Sequence, residues 1–306
     1  MENIKITFIL PNIEISGGVK AVFKFANHLY EHGHDVSIVY PLLPMRSGAA
    51  WHNLRVLRTR AIGVIKNLGQ PVHVQWFDLK AKLIRVPTLA ERYIPDGNIV
   101  IATWWETANF VSRYDKKKGE KFLLAQHYEI WGGPEEEVNK SYRLGLRIIV
   151  NSTWLKNILQ EKLNVKTESL ILHAPDLDQF YPEDEMRNRN NDTIRILMPY
   201  RKIKWKGAID GIKAFEIVRE KQHKVQLVMY GPEVDENVPN YAEFHEMPDN
   251  NRLRAIYNSC DIFVFPSHCE GFGMPPMEAM ACKCAVVTTY VGGVPDYTIP
   301  GETALV

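Results

Sequence analysis

Short apolar runs and amphipathic stretches alternate along this 306-residue chain with a regularity that leaves few folds open. After residue 190 the order is Ile194–Met198, a helical stretch over Gly207–Lys221, Val225–Tyr230, a helical stretch over Asn251–Ser259, Ile262–Phe265, a helix from Pro276, and Ala285–Thr289. The apolar runs have few polar interruptions, as strands covered on both faces do, and the segments between them suit crossover helices. The chain opens in the same way. Ile4–Leu10 is followed by Val19–His32, with Val22, Phe23, Phe25, Ala26, Leu29 and Tyr30 at helical spacing, and then by Val36–Tyr40. Further strand-like runs lie at Leu54–Leu57, Asn98–Ala102, Phe122–Gln126 and Leu146–Val150. Repeated β-α-β units predict an α/β protein with two doubly wound parallel sheets in series.

A polar, charged stretch over Asp176–Asp192 separates the two series and reads as the interdomain linker, giving expected domains of residues 1–182 and 183–306. With 37 basic and 36 acidic residues, the formal charge of +1 offers no global field for nucleic acid, so any anion site must be local. All four cysteines, Cys260, Cys269, Cys282 and Cys284, fall near the chain's end. A disulfide framework would be spread more widely, so they are read as core thiols in a reducing, cytoplasmic compartment. No apolar run is long enough to cross a bilayer. The basic segment Lys80–Arg85 reads as a solvated helix face, with peripheral contact to an anionic membrane surface as the alternative. Glu135–Glu137 and Lys116–Lys118 read as solvated loops.

The densest chemistry lies just after Ile262–Phe265. There the chain reads Pro266-Ser267-His268-Cys269-Glu270-Gly271-Phe272-Gly273-Met274-Pro275-Pro276-Met277-Glu278-Ala279-Met280-Ala281. A strand stops at a proline, a glycine-flanked loop follows, and paired prolines open an Ala/Met-rich helix. Such a loop offers amide N–H groups at the positive end of a helix, and Gly271 and Gly273 let a phosphate oxygen approach the main chain. Glu270 and Glu278, with seven residues between them, can face one ligand at the strand's carboxyl end.

This run resembles the E-x(7)-E signature of retaining, nucleotide-sugar-dependent glycosyltransferases of family 4, the glycogen-synthase-like group. The resemblance implies a GT-B fold: two Rossmann-like domains facing across a cleft, the first on the acceptor side and the second binding the donor. It implies that Glu270 lies by the transferred sugar, that Glu278 binds the donor ribose, and that the Gly271-Phe272-Gly273 loop binds the diphosphate. Arg201 and Lys206, in Pro199-Tyr200-Arg201-Lys202-Ile203-Lys204-Trp205-Lys206-Gly207, resemble the family's G-R-x(4)-K-G run, whose cations hold the pyrophosphate; Tyr200 replaces the usual first glycine. Fixed cations aimed at a leaving diphosphate stabilise the transition state more than the ground state. The resemblance also puts Gly17 and Gly18, in the loop after the first strand, near donor diphosphate and acceptor, and His127, after Phe122–Gln126, near the donor sugar.

The implied activity is retaining transfer of a hexosyl or deoxyhexosyl group from a nucleotide diphosphate sugar to a carbohydrate or lipid-linked acceptor, in polysaccharide or glycoconjugate biosynthesis. The nucleotide sugar is a co-substrate, and neither cofactor nor metal is expected. Asp176-Leu177-Asp178 imitates a metal-binding D-x-D but falls in the expected linker. Asp176–Pro182 matches the tail of the family's pre-linker pattern, whereas His173-Ala174-Pro175 departs from its asparagine-glycine head. Family members continue beyond the position of Val306 with further helices, so the resemblance implies a C-terminally incomplete domain. A nucleotide-sugar-binding subunit with little turnover, and a GT-B epimerase, are the alternative readings. Trp104-Trp105 could stack on an acceptor or pack in the core.

Overall fold

The computed structural model describes residues 2–42, 74–183, 185 and 192–306. The run Leu54–Leu57 and the Asn188–Asn191 part of the expected linker lie outside them. The chain divides into two compact units, Met1–Ile171 and Leu172–Val306.

The first unit carries β1 (Lys5–Ile9), α1 (Gly17–Glu31), β2 (Asp35–Pro41), β3 (Lys82–Val86), β4 (Ile99–Ala102), α2 (Trp105–Val111), β5 (Glu120–Ala125), α3 (Glu135–Ser141), β6 (Arg147–Val150), α4 (Thr153–Leu163) and β7 (Ser169–Leu170). Its strands form a seven-stranded sheet in the order β3-β2-β1-β4-β5-β6-β7, with parallel pairing throughout. Both faces are covered. Ile6, Phe8 and Ile38 pack with Val22, Phe23 and Ala26 of α1 on one side. Ile9, Val39, Val100, Leu123 and Val150 pack with Ala108 of α2 and Leu155 and Leu159 of α4 on the other. The alternation of β1 and β2 side chains between the two cores is the period of a strand buried on both faces.

Helix α1 starts earlier than its apolar period, because the side chain of Ser16 accepts from the Val19 amide at 3.2 Å and caps the first turn. The segment Lys80–Arg85 is not a helix face: Lys82–Val86 is the edge strand β3, paired with β2 from Ser37↔Lys82 to Pro41↔Val86. Charged side chains are common on edge strands, where they discourage further pairing, and they disguised this one as a helix face. Lys116–Lys118 forms a 3₁₀ turn rather than a uniformly solvated loop, with Lys118 buried. Its Nζ donates to Ile94 O at 2.5 Å and pairs with Asp96 at 2.6 Å. Glu135–Glu137 are exposed but lie in the first turn of α3, where acidic side chains suit the helix dipole.

The second unit carries β8 (Ile194–Pro199), α5 (Ala208–Lys221), β9 (Val225–Gly231), β10 (Glu243–Glu246), α6 (Asn250–Asn258), β11 (Ile262–Phe265), α7 (Met274–Ala281) and β12 (Ala285–Thr288). The sheet order is β10-β9-β8-β11-β12, again parallel throughout. Helix α5 covers one face through Ala208, Ile212 and Phe215, while α6 and α7 cover the other through Tyr257 and Ala279. Both expected doubly wound sheets are present.

The chain segment before β8 belongs to this second unit from Leu172 onward, eleven residues before the expected domain start at residue 183. Phe180 is 1% exposed in the core beside Leu197 and Tyr257. Asn258 bonds to Tyr181 O at 2.9 Å and receives the Glu183 amide at 2.7 Å, while Arg254 donates to Glu183 at 2.8 Å and lies over the Tyr181 ring. The polar composition of this stretch concealed one aromatic anchor and a hydrogen-bonded strap across α6.

Candidate functional site

In each unit the strand order reverses direction between two central neighbours, β1 and β4 in the first and β8 and β11 in the second. Loops leaving the carboxyl ends of such strands diverge and open a crevice suited to a ligand. Arg201, Lys206, Glu270 and Gly271–Gly273 follow β8 and β11, Gly17 and Gly18 open α1 after β1, Glu278 lies within α7, and His127 follows β5.

In the second unit, Lys206 ends a 3₁₀ turn after β8, and Glu270 lies in the loop after β11. Lys206 Nζ donates to Glu270 Oε1 at 2.7 Å, and Ser267 Oγ donates to the same oxygen at 2.6 Å. Glu270 is 8% exposed, whereas the Lys206 side chain keeps 32% of its surface. The two loops are also joined through the main chain, the His268 amide donating to Trp205 O at 2.7 Å. Gly207 makes that approach possible: its φ is +66°, and a Cβ there would stand 1.9 Å from Pro266 O. The buried carboxylate and burial together push the neighbouring Cys269 thiol above its ordinary pKa, burial being the larger cause. All four cysteines are free thiols.

Arg201 follows β8, is exposed, and donates to Tyr200 O at 3.3 Å. Lys202 instead turns to Glu233, at 3.0 Å, with its side chain half exposed. The Tyr200 hydroxyl donates to Asp235 at 2.5 Å; burial, then that bond, pushes its pKa up to about 12.

Gly271, Phe272 and Gly273 are buried, with Gly273 capping α7 in a left-handed conformation. The Phe272 ring packs against Tyr297 at 5.5 Å and meets His173 edge-on at 5.2 Å. Tyr297 donates to Gly273 O at 2.6 Å, which fixes the loop where it enters the helix. Helix α7 begins at Met274, two residues before the expected start, so Glu278 falls in its second turn rather than its first. Glu278 Oε2 accepts from the Tyr257 hydroxyl at 3.2 Å, and Tyr257 in turn meets the Tyr230 hydroxyl at 3.1 Å. Burial raises the Tyr230 pKa and the Glu278 charge adds to it, while the Arg201 charge opposes both. Two tyrosines from separate elements thus stand beside the carboxylate; the only sequence signal for them was their apolar surroundings.

In the first unit, Gly17 and Gly18 open α1 after β1, and the Gln126 side chain donates to Gly18 O at 3.2 Å. This joins the glycine loop to the end of β5, where His127 follows. His127 Nδ1 lies 3.0 Å from Tyr128 O, and its ring meets Trp154 and Trp131 edge-on at 5.5 and 6.2 Å. The tryptophans after β4 divide: Trp105 is 9% exposed in the core, while Trp104 is partly exposed and tilts against Trp131 at 5.2 Å.

Two carboxylates here escaped the sequence reading. Glu129 is 4% exposed and accepts from the Trp105 amide at 2.8 Å; burial holds its pKa well above the ordinary value. Burial also raises Glu106, against the bond from the Trp104 indole at 3.3 Å. Their signal in the sequence was no more than proximity to tryptophans at strand ends. Among the described residues no group of three or more His, Cys, Asp or Glu side chains is placed to hold a metal ion. Nor is any helix among them long and apolar enough to cross a membrane.

Residues 182–306 match the family model for glycosyl transferases group 1. The chain is 32% identical over 139 residues to the capsular polysaccharide biosynthesis glycosyltransferase CapM of Staphylococcus aureus. That alignment takes in 42% of this chain and 37% of CapM, so the chain spans well under half the length of this curated relative. Sucrose-phosphate synthase from Thermosynechococcus elongatus superimposes with a TM-score of 0.70 at 17% identity, covering 98% of this chain and 85% of that one. The crystal structure of TarM superimposes with a TM-score of 0.67 at 11% identity, covering 98% and 88%. The chain has the GT-B fold, and its residues 182–306 are similar to the glycosyl transferases group 1 domain.

Proposed function

We propose that the chain transfers a sugar from a nucleotide diphosphate sugar to a carbohydrate or lipid-linked acceptor, with retention of anomeric configuration and without a metal ion, in polysaccharide or glycoconjugate biosynthesis. The observation that carries this reading is the Lys206–Glu270 contact, 2.7 Å long, between the loops that leave β8 and β11 inside the group 1 domain. An ammonium group has three protons to donate, so Lys206 can keep Glu270 and still offer donors to a phosphate. Arg201, exposed at the end of β8, supplies the second cation. The similarity to a capsular polysaccharide glycosyltransferase supports the substrate class.

In the proposed reaction the bond between the sugar's C1 and the diphosphate oxygen breaks with its electron pair on the phosphate. Arg201 and Lys206 meet that growing charge, together with the Gly271–Gly273 amides, and so favour the transition state over the bound substrate. The acceptor hydroxyl attacks C1 on the same face, and its proton passes to the departing phosphate oxygen. Glu270 orients the donor sugar through its hydroxyls. Glu278 holds the ribose. In the first unit the His127 ring is steadied by Trp131 and Trp154, and neither Gly17 nor Gly18 has a positive φ; a Cβ on Gly17 would meet nothing within 4 Å, so the fold itself does not demand glycine there.

A melting-temperature screen with nucleoside diphosphates and their sugars tests the reading, because a ligand specific for the folded state must raise it. One nucleotide series should stabilise the protein and lose that effect in Glu278→Ala, while Arg201→Ala should chiefly lower turnover. Equal melting temperatures with every nucleotide would refute it.

A further inference from the structure

We infer that Tyr257 is a positioning residue of the nucleotide site: its hydroxyl, ordered by Tyr230, holds the Glu278 carboxylate in the orientation that receives the ribose hydroxyls. This rests on the reading of Glu278 as the ribose carboxylate.

Tyr257 is fully buried, and its hydroxyl donates to Glu278 Oε2 at 3.2 Å. A phenol has one proton. With that proton committed to the carboxylate, the contact of 3.1 Å to Tyr230 must run from the Tyr230 hydroxyl to the Tyr257 oxygen. The proton order is therefore Tyr230 to Tyr257 to Glu278, and each donor in such a chain polarises the next. Burial raises the pKa of both phenols, and the Glu278 charge adds to it, so both stay protonated donors throughout the neutral range.

The ring that carries the hydroxyl is itself held on several sides. Phe180, Phe263 and Tyr230 meet it at 5.8, 5.6 and 6.1 Å, all close to edge-on. The Cys284 thiol donates to the carbonyl of Tyr257 at 3.1 Å. Phe180 comes from the strap before β8, Tyr230 from β9 and Glu278 from α7, so three parts of the second unit converge on one side chain of α6. Glutamate has three rotatable bonds, and a ligand that had to order it would lose affinity by doing so. A fixed donor on Oε2 removes that cost before the ligand arrives.

The test is the preference for a ribose over one without its hydroxyls. Titration calorimetry with UDP, GDP and ADP selects the base, and the 2′,3′-dideoxy form of that diphosphate is then compared with it. The wild type should prefer the ribonucleotide by more than about tenfold, the scale of a lost hydrogen bond to a charged group. Tyr257→Phe should lower this preference roughly fivefold while leaving affinity for the dideoxy form within about twofold; Tyr230→Phe should lower it by a smaller factor. A merely structural tyrosine would weaken both ligands alike. If Glu278→Gln removes the preference and Tyr257→Phe leaves it intact, the inference is overturned and the ribose reading stands. If Glu278→Gln also leaves it intact, or no diphosphate binds, both fail. Should Tyr257→Phe not fold, Tyr230→Phe decides: less than about a twofold loss of preference overturns the inference.

Discussion

Replacing Gly207 by alanine tests whether the loops after β8 and β11 are locked together as described. Two costs can be worked from the structure. The φ of +66° is a conformation that an L side chain adopts at about 1 kcal/mol or more. The new Cβ would also stand 1.9 Å from Pro266 O, where ordinary contact begins at 3.4 Å, so the loops must part by about 1.5 Å. That displacement removes the bond from the His268 amide to Trp205 O, now 2.7 Å, for about 1 kcal/mol more. With the strain of parting the chains, the total should reach about 3 kcal/mol, a fall in melting temperature on the order of 10 °C for a unit of this size. Gly301→Ala is the internal control, since its φ is +80° but a Cβ there meets nothing within 4 Å. It should cost about 1 kcal/mol, the backbone contribution alone. Urea melts of both variants, followed by calorimetry with a nucleoside diphosphate, separate stability from binding. Gly207→Ala should also weaken diphosphate binding because Lys206 precedes it. The reasoning is refuted if the two variants are equally stable.

Glu129→Gln should remove a pH-dependent instability. Because burial raises the carboxyl's pKa in the folded state above its unfolded value of 4.5, its favourable contribution is complete below that value and is lost as pH rises through the folded pKa. Between the two values wild-type stability should fall by about 1.4 kcal/mol per pH unit from this group, and the variant should lack that slope in urea melts at successive pH values. Lys118→Ala should destabilise by about 2 kcal/mol, since it leaves a buried carbonyl of Ile94 without its donor, whereas Lys117→Ala on the exposed side of the same turn should stay within about 0.5 kcal/mol. Equal effects in thermal melts would contradict the burial of Lys118. Glu270→Gln should leave the Lys206 cation without its ion-pair partner and slow sugar transfer, measured as kcat, more than it weakens diphosphate binding.

Much of the fold could be read from local pattern. A strand buried on both faces has to be apolar along its length, and a crossover helix has to present an apolar stripe, so β1, β2, β8, β9, β11 and α1 announced themselves through neighbours in sequence. Strands β3 and β10 carry Lys82, Arg85, Glu243 and Glu246, and only their pairing at sheet edges makes them strands. The glycine-flanked loop and the two glutamates were likewise legible, since a helix start and its capping glycine lie within one short run.

What the sequence determined by itself was therefore the alternation of elements and the chemistry carried on one loop, because both depend on residues a few positions apart. What only the tertiary structure decided was partnership. Lys206 meets Glu270 across 64 positions, Tyr257 meets Glu278 across 21, and Glu129 meets the Trp105 amide across 24. The same holds for Lys118, which was indistinguishable in the sequence from Lys116 and Lys117 until packing closed around it. A side chain's pattern shows what it can bond to, but burial and the distance to a partner depend on which distant segments the sheets bring together.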